Sequence, residues 1–269
     1  MNWRTLSPAL LTLLVFFFAQ GLGSVLLLVV GMEVPAFSLA MMAANILAVL
    51  ACRFFLHNIR LLTTDDVSSI NWRMGLLAIV GGTFGVVSVS PLTESIELPD
   101  MVLQMSLAMS HNALGLLCIV FIGPVTEELL FREAIEGEML RRGAGPWMAI
   151  LVSSLAFSTV HLNLAQGIYA LPVGILFGII YYKTGNVIIS SLLHIINNGA
   201  VATLLYLYGE DIQDLSLADW FGSTSNAYAL AALSGIFCLV LMTIFWNFYS
   251  PTEGNKKHAP LGKNAKSAC

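Results

Sequence analysis

Eight apolar stretches separated by short polar loops constrain the fold of this chain more than any other feature. A helix needs about 20 apolar residues to cross the hydrocarbon core of a bilayer. The chain is 57% hydrophobic and only 10% charged, whereas a soluble domain is roughly half apolar and about a quarter charged. The sequence therefore predicts an all-α, polytopic membrane protein with about eight transmembrane helices.

The predicted spans belong to one domain. They run over 8–30, 36–56, 74–92, 112–142, 147–161, 165–182, 187–208 and 227–249. The first is interpreted as an uncleaved helix, because its apolar run to Val30 is longer than the roughly 7–15 residues of a signal-peptide core. Residues 1–249 are predicted to form a single transmembrane domain with its motif core at 123–198. The polar, basic residues 250–269 are predicted to form a flexible cytoplasmic tail.

Charge alternates between the loops on the two sides of these spans. All twelve Lys and Arg residues lie at or beside the loops on the side of the N-terminus. The opposite loops contain no Lys or Arg. Their charged residues are all acidic, namely Glu33, Glu94, Glu97, Asp100, Glu210, Asp211, Asp214 and Asp219. Basic residues concentrate in the cytoplasmic loops of membrane proteins. The pattern supports the number of spans and predicts that both termini are cytoplasmic.

Three polar clusters interrupt the apolar spans. They are Glu127, Glu128 and Arg132 in the fourth span, Phe157 and His161 in the fifth, and His194 and Asn198 in the seventh. Ionisable groups at bilayer depth are destabilising by a few kcal/mol each and usually face a cavity or a partner. Side chains four residues apart share a face of a helix, so the spacing predicts an ion pair between Glu128 and Arg132. Glu127 is rotated by about 100° and can face elsewhere.

Depth in the membrane is a second reason to group these clusters. The inner-surface markers for the three spans are Arg141, Trp147 and Lys183. At a rise of about 1.5 Å per residue, Glu127 and His161 lie roughly 21 Å from their markers. His194 and Asn198 lie roughly 16 and 22 Å from theirs. Upright helices would therefore bring an acid, two imidazoles and an amide into one layer, which is the geometry of a site.

This set of residues supports more than one chemistry. A carboxylate and an imidazole can activate water by general-base catalysis, while a second imidazole and an amide donate hydrogen bonds to an oxyanion. Two His and one Glu can instead hold a catalytic zinc, with Glu127, His161 and His194 as ligands. The HExxH spacing of many zinc proteases is absent. A GxSG-like serine motif and an intramembrane aspartate pair are absent as well.

The three motifs, in this order, resemble the CPBP family, which comprises CAAX proteases and bacteriocin-processing enzymes and is also called the Abi family. The family pattern EExxxR corresponds to Glu127, Glu128 and Arg132, FxxxH to Phe157 and His161, and HxxxN to His194 and Asn198. The resemblance covers about residues 123–198. It implies an eight-helix membrane protein whose helices enclose a polar cavity open to the cytosol.

The resemblance also implies an activity, that of an intramembrane endopeptidase similar to the type II CAAX prenyl proteases. It implies that Glu127 and His161 activate water and that His194 and Asn198 hold the oxyanion. The supporting residues are Glu128, Arg132 and Phe157. Catalysis by a glutamate without a cofactor is the favoured interpretation, and zinc held by Glu127, His161 and His194 is the alternative.

The expected partners follow from the same resemblance and from the compact chain. Short loops are typical of prokaryotic members, in which CAAX prenylation is not expected. The expected substrate is therefore a peptide or a membrane protein, in contact with the lipid bilayer of a prokaryotic inner membrane. No nucleic acid is expected to bind.

Non-catalytic interpretations use the same residues. The Glu128–Arg132 pair can be purely structural, and a single His or Asn can join two helices by a hydrogen bond. A membrane scaffold or bacteriocin-immunity protein of this fold would tolerate the loss of Glu127. A transporter could use the acids and imidazoles as a proton relay, although the inverted repeats of many transporters are not visible.

Overall fold

The computed structural model describes residues 3–60, 62–68, 70–94, 103–213 and 215–249, and within these ranges it contains helices and no strand. The helices are α1 (Trp3–Val30), α2 (Val34–Leu56), α3 (Thr64–Ser68), α4 (Trp72–Glu94), α5 (Leu103–Ser110), α6 (Ala113–Arg141), α7 (Pro146–Thr159), α8 (Leu164–Thr184), α9 (Ile188–Tyr208), α10 (Leu217–Phe221) and α11 (Thr224–Phe248). The predicted tail at 250–269 and the predicted outer-loop acids Glu97, Asp100 and Asp214 lie outside the described residues.

Seven of these helices are long and apolar enough to cross a membrane, and α7 is a shorter apolar helix. Each of the eight predicted spans coincides with one of them. Their outward faces carry large apolar side chains, such as Phe18 and Leu28 on α1, as expected for helices surrounded by lipid. The predicted all-α fold with about eight spans is confirmed, and the chain is an integral membrane protein.

The start of α6 is defined by a polar cap. The side chain of Asn112 accepts hydrogen bonds from the backbone N–H groups of Leu114 and Gly115 at 3.0 and 3.1 Å. This cap satisfies donors that the first turn of a helix leaves unpaired. Because α6 begins here, α5 is a separate short helix and not the first part of the fourth span.

Much of α6 is wider than an ordinary α-helix. Residues Leu117–Ile122 and Leu129–Gly137 form π-helical turns on either side of an α-helical turn at Gly123–Glu128. The backbone N–H of Gly123 donates to the carbonyl of Cys118, five residues back. The next residue, Pro124, has no N–H to donate. Such wide turns are frequently found at functional sites, and the two adjacent glutamates lie at the end of the α-helical turn between them.

Two apolar cores meet along α6 and α9. One contains Phe16 of α1 and Phe131 of α6. The other contains Phe177 of α8 and Leu193 of α9, against α4 and α11. The polar clusters lie at the boundary of the cores, so rigid packing on both sides fixes their positions.

Replacing Gly115 by Ala is expected to destabilise the junction of α5 and α6 by about 1–3 kcal/mol, as other overpacked sites do. A Cβ atom at this position would meet the carbonyl oxygen of Met109 and lie 2.6 Å from its Cα, and backbone atoms cannot rotate away. Thermal unfolding in detergent measures the effect. Gly21→Ala is the matched control, since open space surrounds Gly21. Equal unfolding temperatures for the two variants would contradict the prediction.

Candidate active site

The two adjacent glutamates of α6 lie in different environments. The side chain of Glu128 is fully buried and lies 3.4 Å from Nε of Arg132, which is also fully buried. The predicted ion pair is therefore present. The side chain of Glu127 is 24% exposed and faces His194. Neighbouring carboxylates in contrasting environments can take different chemical roles.

His194 lies between these two carboxylates. Its Nδ1 atom is 3.3 Å from Oε1 of Glu128, and its Nε2 atom is 3.7 Å from Oε2 of Glu127. The ring is 4% exposed and packs against Phe177, with ring centroids 4.9 Å apart. The buried acid thus lies against the Nδ1 edge of the imidazole, while Nε2 faces the partly exposed acid.

Arg132 is the centre of a buried column of charge. Its Nη1 atom donates to Oγ of Ser153 at 2.6 Å, and Ser153 donates to the carbonyl of Phe131 at 2.9 Å. The same Nη1 atom lies 3.8 Å from Oε2 of Glu136. Both carboxylate oxygens of Glu136 are buried without a hydrogen bond. One guanidinium therefore serves two buried carboxylates, Glu128 and Glu136.

Sequence reasoning missed Glu136 and Ser153. The contact of Glu136 with Arg132 could have been predicted from the sequence. Glu136 follows Arg132 by four residues, the same spacing that predicted the pair of Glu128 and Arg132. It fits in the core because Gly178 has no side chain: a Cβ there would lie 2.8 Å from Oε2 of Glu136. Ser153 comes from another helix, and its contact with Arg132 depends on how α6 and α7 pack.

His161 is not on a helix, contrary to prediction. The helix α7 ends at Thr159, and His161 occupies the turn before α8. Leu162 follows with a φ of 50°, a left-handed conformation that stops the helix. The side chain of Asn163 accepts a hydrogen bond from the N–H of Ala165 and caps α8.

The turn that carries His161 follows an unusually short apolar helix. With 14 residues at about 1.5 Å each, α7 is only about 21 Å long and ends within the thickness of a bilayer, whose hydrocarbon core is about 30 Å. Non-helical backbone at such a depth is tolerated only inside protein or along a water-filled cavity. The turn that carries His161 is therefore expected either to be enclosed by protein or to line a water-filled cavity.

The protonation of the His161 ring follows from its contact with the backbone. Nδ1 lies 2.8 Å from the carbonyl oxygen of Phe157, and a carbonyl can only accept a hydrogen bond. Nδ1 therefore carries the hydrogen, and in the neutral ring Nε2 carries the lone pair. The ring of Phe157 makes edge contacts with both His161 and His194, with centroids 5.0 and 5.6 Å away.

Asn198 lies one turn beyond His194 on α9. Its Nδ2 atom donates to the carbonyl oxygen of Ile119 on α6 at 2.9 Å, and its Oδ1 atom accepts from Nδ2 of Asn197 at 3.1 Å. The structure thus brings Glu127, Glu128 and His194 into direct contact. It links His161 to them through Phe157, and Asn198 through the shared helix α9.

A zinc ion would need Glu127, His161 and His194 to surround one point. Among the residues that the structure describes, no group of three or more His, Cys, Asp and Glu side chains is arranged to hold a metal ion. His161 is linked to the pair of Glu127 and His194 through the ring of Phe157. These three residues, as placed here, do not fit a zinc ion.

A second charged cluster, also missed from the sequence, lies towards the inner end of α6. The Glu133 side chain is 6% exposed and accepts hydrogen bonds from Nε of Arg60, Nη1 of Arg141 and the hydroxyl of Tyr181 at 2.8, 2.8 and 2.7 Å. It joins the segment after α2 to α6 and α8. We interpret the cluster as structural, because each charge lies against an opposite charge.

Comparison with known proteins indicates which family this chain resembles. Residues 109–200 match the family described as type II CAAX prenyl endopeptidase Rce1-like. The predicted resemblance to the CPBP family is confirmed. The match to this family of CAAX proteases contains all three motifs and indicates a protease, and it covers about a third of the chain. No curated protein and no solved structure matches the chain.

Proposed function

We propose that this protein is an intramembrane endopeptidase that hydrolyses peptide bonds in a membrane-associated protein or peptide. The observation that carries the proposal is the contact of one imidazole, His194, with two carboxylates of opposite environment. Glu128 is fully buried and paired with Arg132, so it serves as a fixed support. Glu127 is 24% exposed and serves as the reactive carboxylate.

Glu127 and His161 activate the water in this proposal. The lone pair on Nε2 of His161 and the carboxylate of Glu127 both accept protons from water. The water oxygen bonds to the carbonyl carbon of the substrate, and its proton passes to one of these two bases. The same proton is then delivered to the leaving nitrogen as the carbon–nitrogen bond breaks.

His194 and Asn198 hold the oxyanion of the tetrahedral intermediate. The ring of His194 lies with Nδ1 against Glu128 and Nε2 on the side of Glu127, and Nε2 donates to the oxyanion when both ring nitrogens carry a hydrogen. Asn198 uses one Nδ2 hydrogen for the Ile119 carbonyl and has a second one for the substrate. Fixed donors of this kind commonly contribute about 10²–10³-fold each to kcat.

The site lies in a protein that we place in a prokaryotic inner membrane, with both termini in the cytoplasm. The distribution of Lys and Arg supports this orientation. A site roughly 21 Å from the inner surface suits a peptide segment that enters the membrane or its edge. The substrate is accordingly a peptide or a membrane protein, rather than a nucleic acid or a small polar metabolite.

Cleavage is expected to survive removal of metal ions, because the candidate ligands do not surround a common point. The test uses purified protein in detergent with a peptide library, with and without a strong chelator, together with metal analysis of the protein. Glu127→Ala is the catalytic control and is expected to be inactive. Loss of cleavage on chelation, with recovery on adding zinc, would replace the glutamate mechanism by a zinc mechanism. Equal cleavage by Glu127→Ala would overturn the proposed site.

A further inference from the structure

Three consecutive hydrogen bonds connect α8, α9 and α6 beside the site. The hydroxyl of Tyr169 donates to Oδ1 of Asn197 at 2.8 Å. Nδ2 of Asn197 donates to Oδ1 of Asn198 at 3.1 Å, and Nδ2 of Asn198 donates to the carbonyl oxygen of Ile119 at 2.9 Å. We call these four groups the amide chain. Of its members, only Asn198 belongs to the three sequence motifs.

The last acceptor of the amide chain, the carbonyl oxygen of Ile119, is available because α6 does not form its regular backbone hydrogen bonds at this point. In a regular α-helix the N–H of Gly123 would donate to the carbonyl of Ile119, four residues back. Here it donates to the carbonyl of Cys118 instead. The next N–H along the helix would be that of Pro124, and proline has none. A backbone carbonyl left unsatisfied within a membrane is strongly destabilising. The Asn198 amide supplies the missing hydrogen bond.

The amide chain has a direction that fixes the orientation of Asn198. A phenol hydroxyl donates at one end and a carbonyl, which can only accept, stands at the other. If the Asn198 amide turned over, its Nδ2 would face the Nδ2 donor of Asn197 and its Oδ1 would face the Ile119 carbonyl. Both contacts would be repulsive. The observed orientation therefore keeps an N–H of Asn198, and not its oxygen, available beside α6.

We infer that Tyr169 and Asn197 are positioning residues, which act with the carbonyl freed by Pro124 to hold the Asn198 amide in the orientation that donates to the substrate. The inference rests on the proposed function, in which Asn198 holds the oxyanion. The effect of Tyr169 and Asn197 passes through Asn198, since an oxyanion needs donors in fixed directions.

Tyr169→Phe tests the first link while keeping the aromatic ring. The expected result is a decrease in kcat of about tenfold with KM unchanged, because the donor acts on the transition state and not on bound substrate. Asn197→Ala breaks two links and is expected to lower kcat further. Tyr206→Phe is the matched control: Tyr206 also lies on a transmembrane helix and stacks on His111, away from the amide chain. Its kcat and unfolding temperature are expected to equal those of the wild type.

A double-mutant cycle distinguishes positioning from a general structural role. In an Asn198→Ala background, Tyr169→Phe is expected to change kcat by less than about twofold, because the residue through which it acts is gone. An equal effect of Tyr169→Phe in both backgrounds would overturn the inference, as would an unchanged kcat in the wild-type background. If Asn198→Ala itself cleaves at the wild-type rate, Asn198 does not hold the oxyanion. The proposed function of Asn198 is then wrong, as well as the positioning role of Tyr169 and Asn197.

Discussion

Glu127→Gln is expected to lower kcat for peptide cleavage by roughly 10²–10⁴-fold, the range associated with loss of a general base. Glutamine keeps the size of glutamate but cannot take the proton of the attacking water. The side chain of Glu127 is 24% exposed, and its ion-pair distance to His194 is 3.7 Å, so the fold depends little on its charge. Steady-state kinetics with a peptide substrate and thermal unfolding in detergent measure the two effects separately.

The same substitution at Glu138 is the matched control. Glu138 is on the same helix, near its inner end, and pairs with Arg141 and Arg142 at 2.7 Å. Exposed ion pairs such as these contribute about 0–1 kcal/mol to stability. Glu138→Gln is therefore expected to keep both kcat and unfolding temperature. A Glu127→Gln protein that cleaves at nearly the wild-type rate would show that another group activates the water.

His194→Ala is expected to be inactive for a related reason, because it removes the group between the two carboxylates. The ring is 4% exposed, so a loss of packing accompanies the loss of chemistry. His194→Gln keeps more of the side-chain volume and still has an amide donor. Partial recovery of kcat in His194→Gln over His194→Ala would support hydrogen-bond donation to an oxyanion, whereas equal activities would point to a different role for this residue.

Hydropathy and charge predicted the membrane-spanning helices because bilayer thickness fixes their length. Helix ends were less predictable. The first helix begins at Trp3, although its apolar run begins near residue 8, since a helix can continue into the membrane interface. The break before α6 depends on the side-chain cap of Asn112. Asparagine is a common cap residue, and the predicted fourth span begins at this same residue.

Contacts within the site could be predicted only where spacing along one helix determines them. The Glu128–Arg132 pair follows from a four-residue spacing, and Glu136 could have been found in the same way. The contact of His194 with both glutamates depends instead on the packing of α9 against α6. The wide turns around Pro124 alter the angular position of each residue, which a regular 3.6-residue period does not describe.

The turn at His161 shows how a local signal can override an apolar pattern. The run 147–161 is apolar almost to its end and therefore predicted a helix that includes His161. Asn163 begins a new helix only two residues later, and two helices in different directions need a turn between them. The turn thus positions the His161 side chain, and the ring is held by the contact of its Nδ1 atom with the backbone carbonyl of Phe157.

Arg132→Ala is expected to destabilise the protein by about 3–5 kcal/mol, the range found when one member of a buried ion pair is removed. The substitution leaves the fully buried carboxylates of Glu128 and Glu136 without their shared cation. It also removes the guanidinium that lies 5.3 Å from the centre of the Phe157 ring. Thermal unfolding in detergent and the yield of folded protein in membranes measure the loss.

Two further variants separate the charge of Arg132 from its volume. Arg73 is exposed at the start of α4, and Arg73→Ala is expected to leave stability unchanged within about 0.5 kcal/mol. In a protein that already carries Glu128→Gln and Glu136→Gln, Arg132→Met is expected to be much less destabilising than Arg132→Ala is alone, because neutral amides do not need a cation. If Arg132→Ala unfolds at the wild-type temperature, the column Glu128–Arg132–Glu136 does not stabilise the fold. The support of His194 would then have to come from the packing of Phe157 and Phe177.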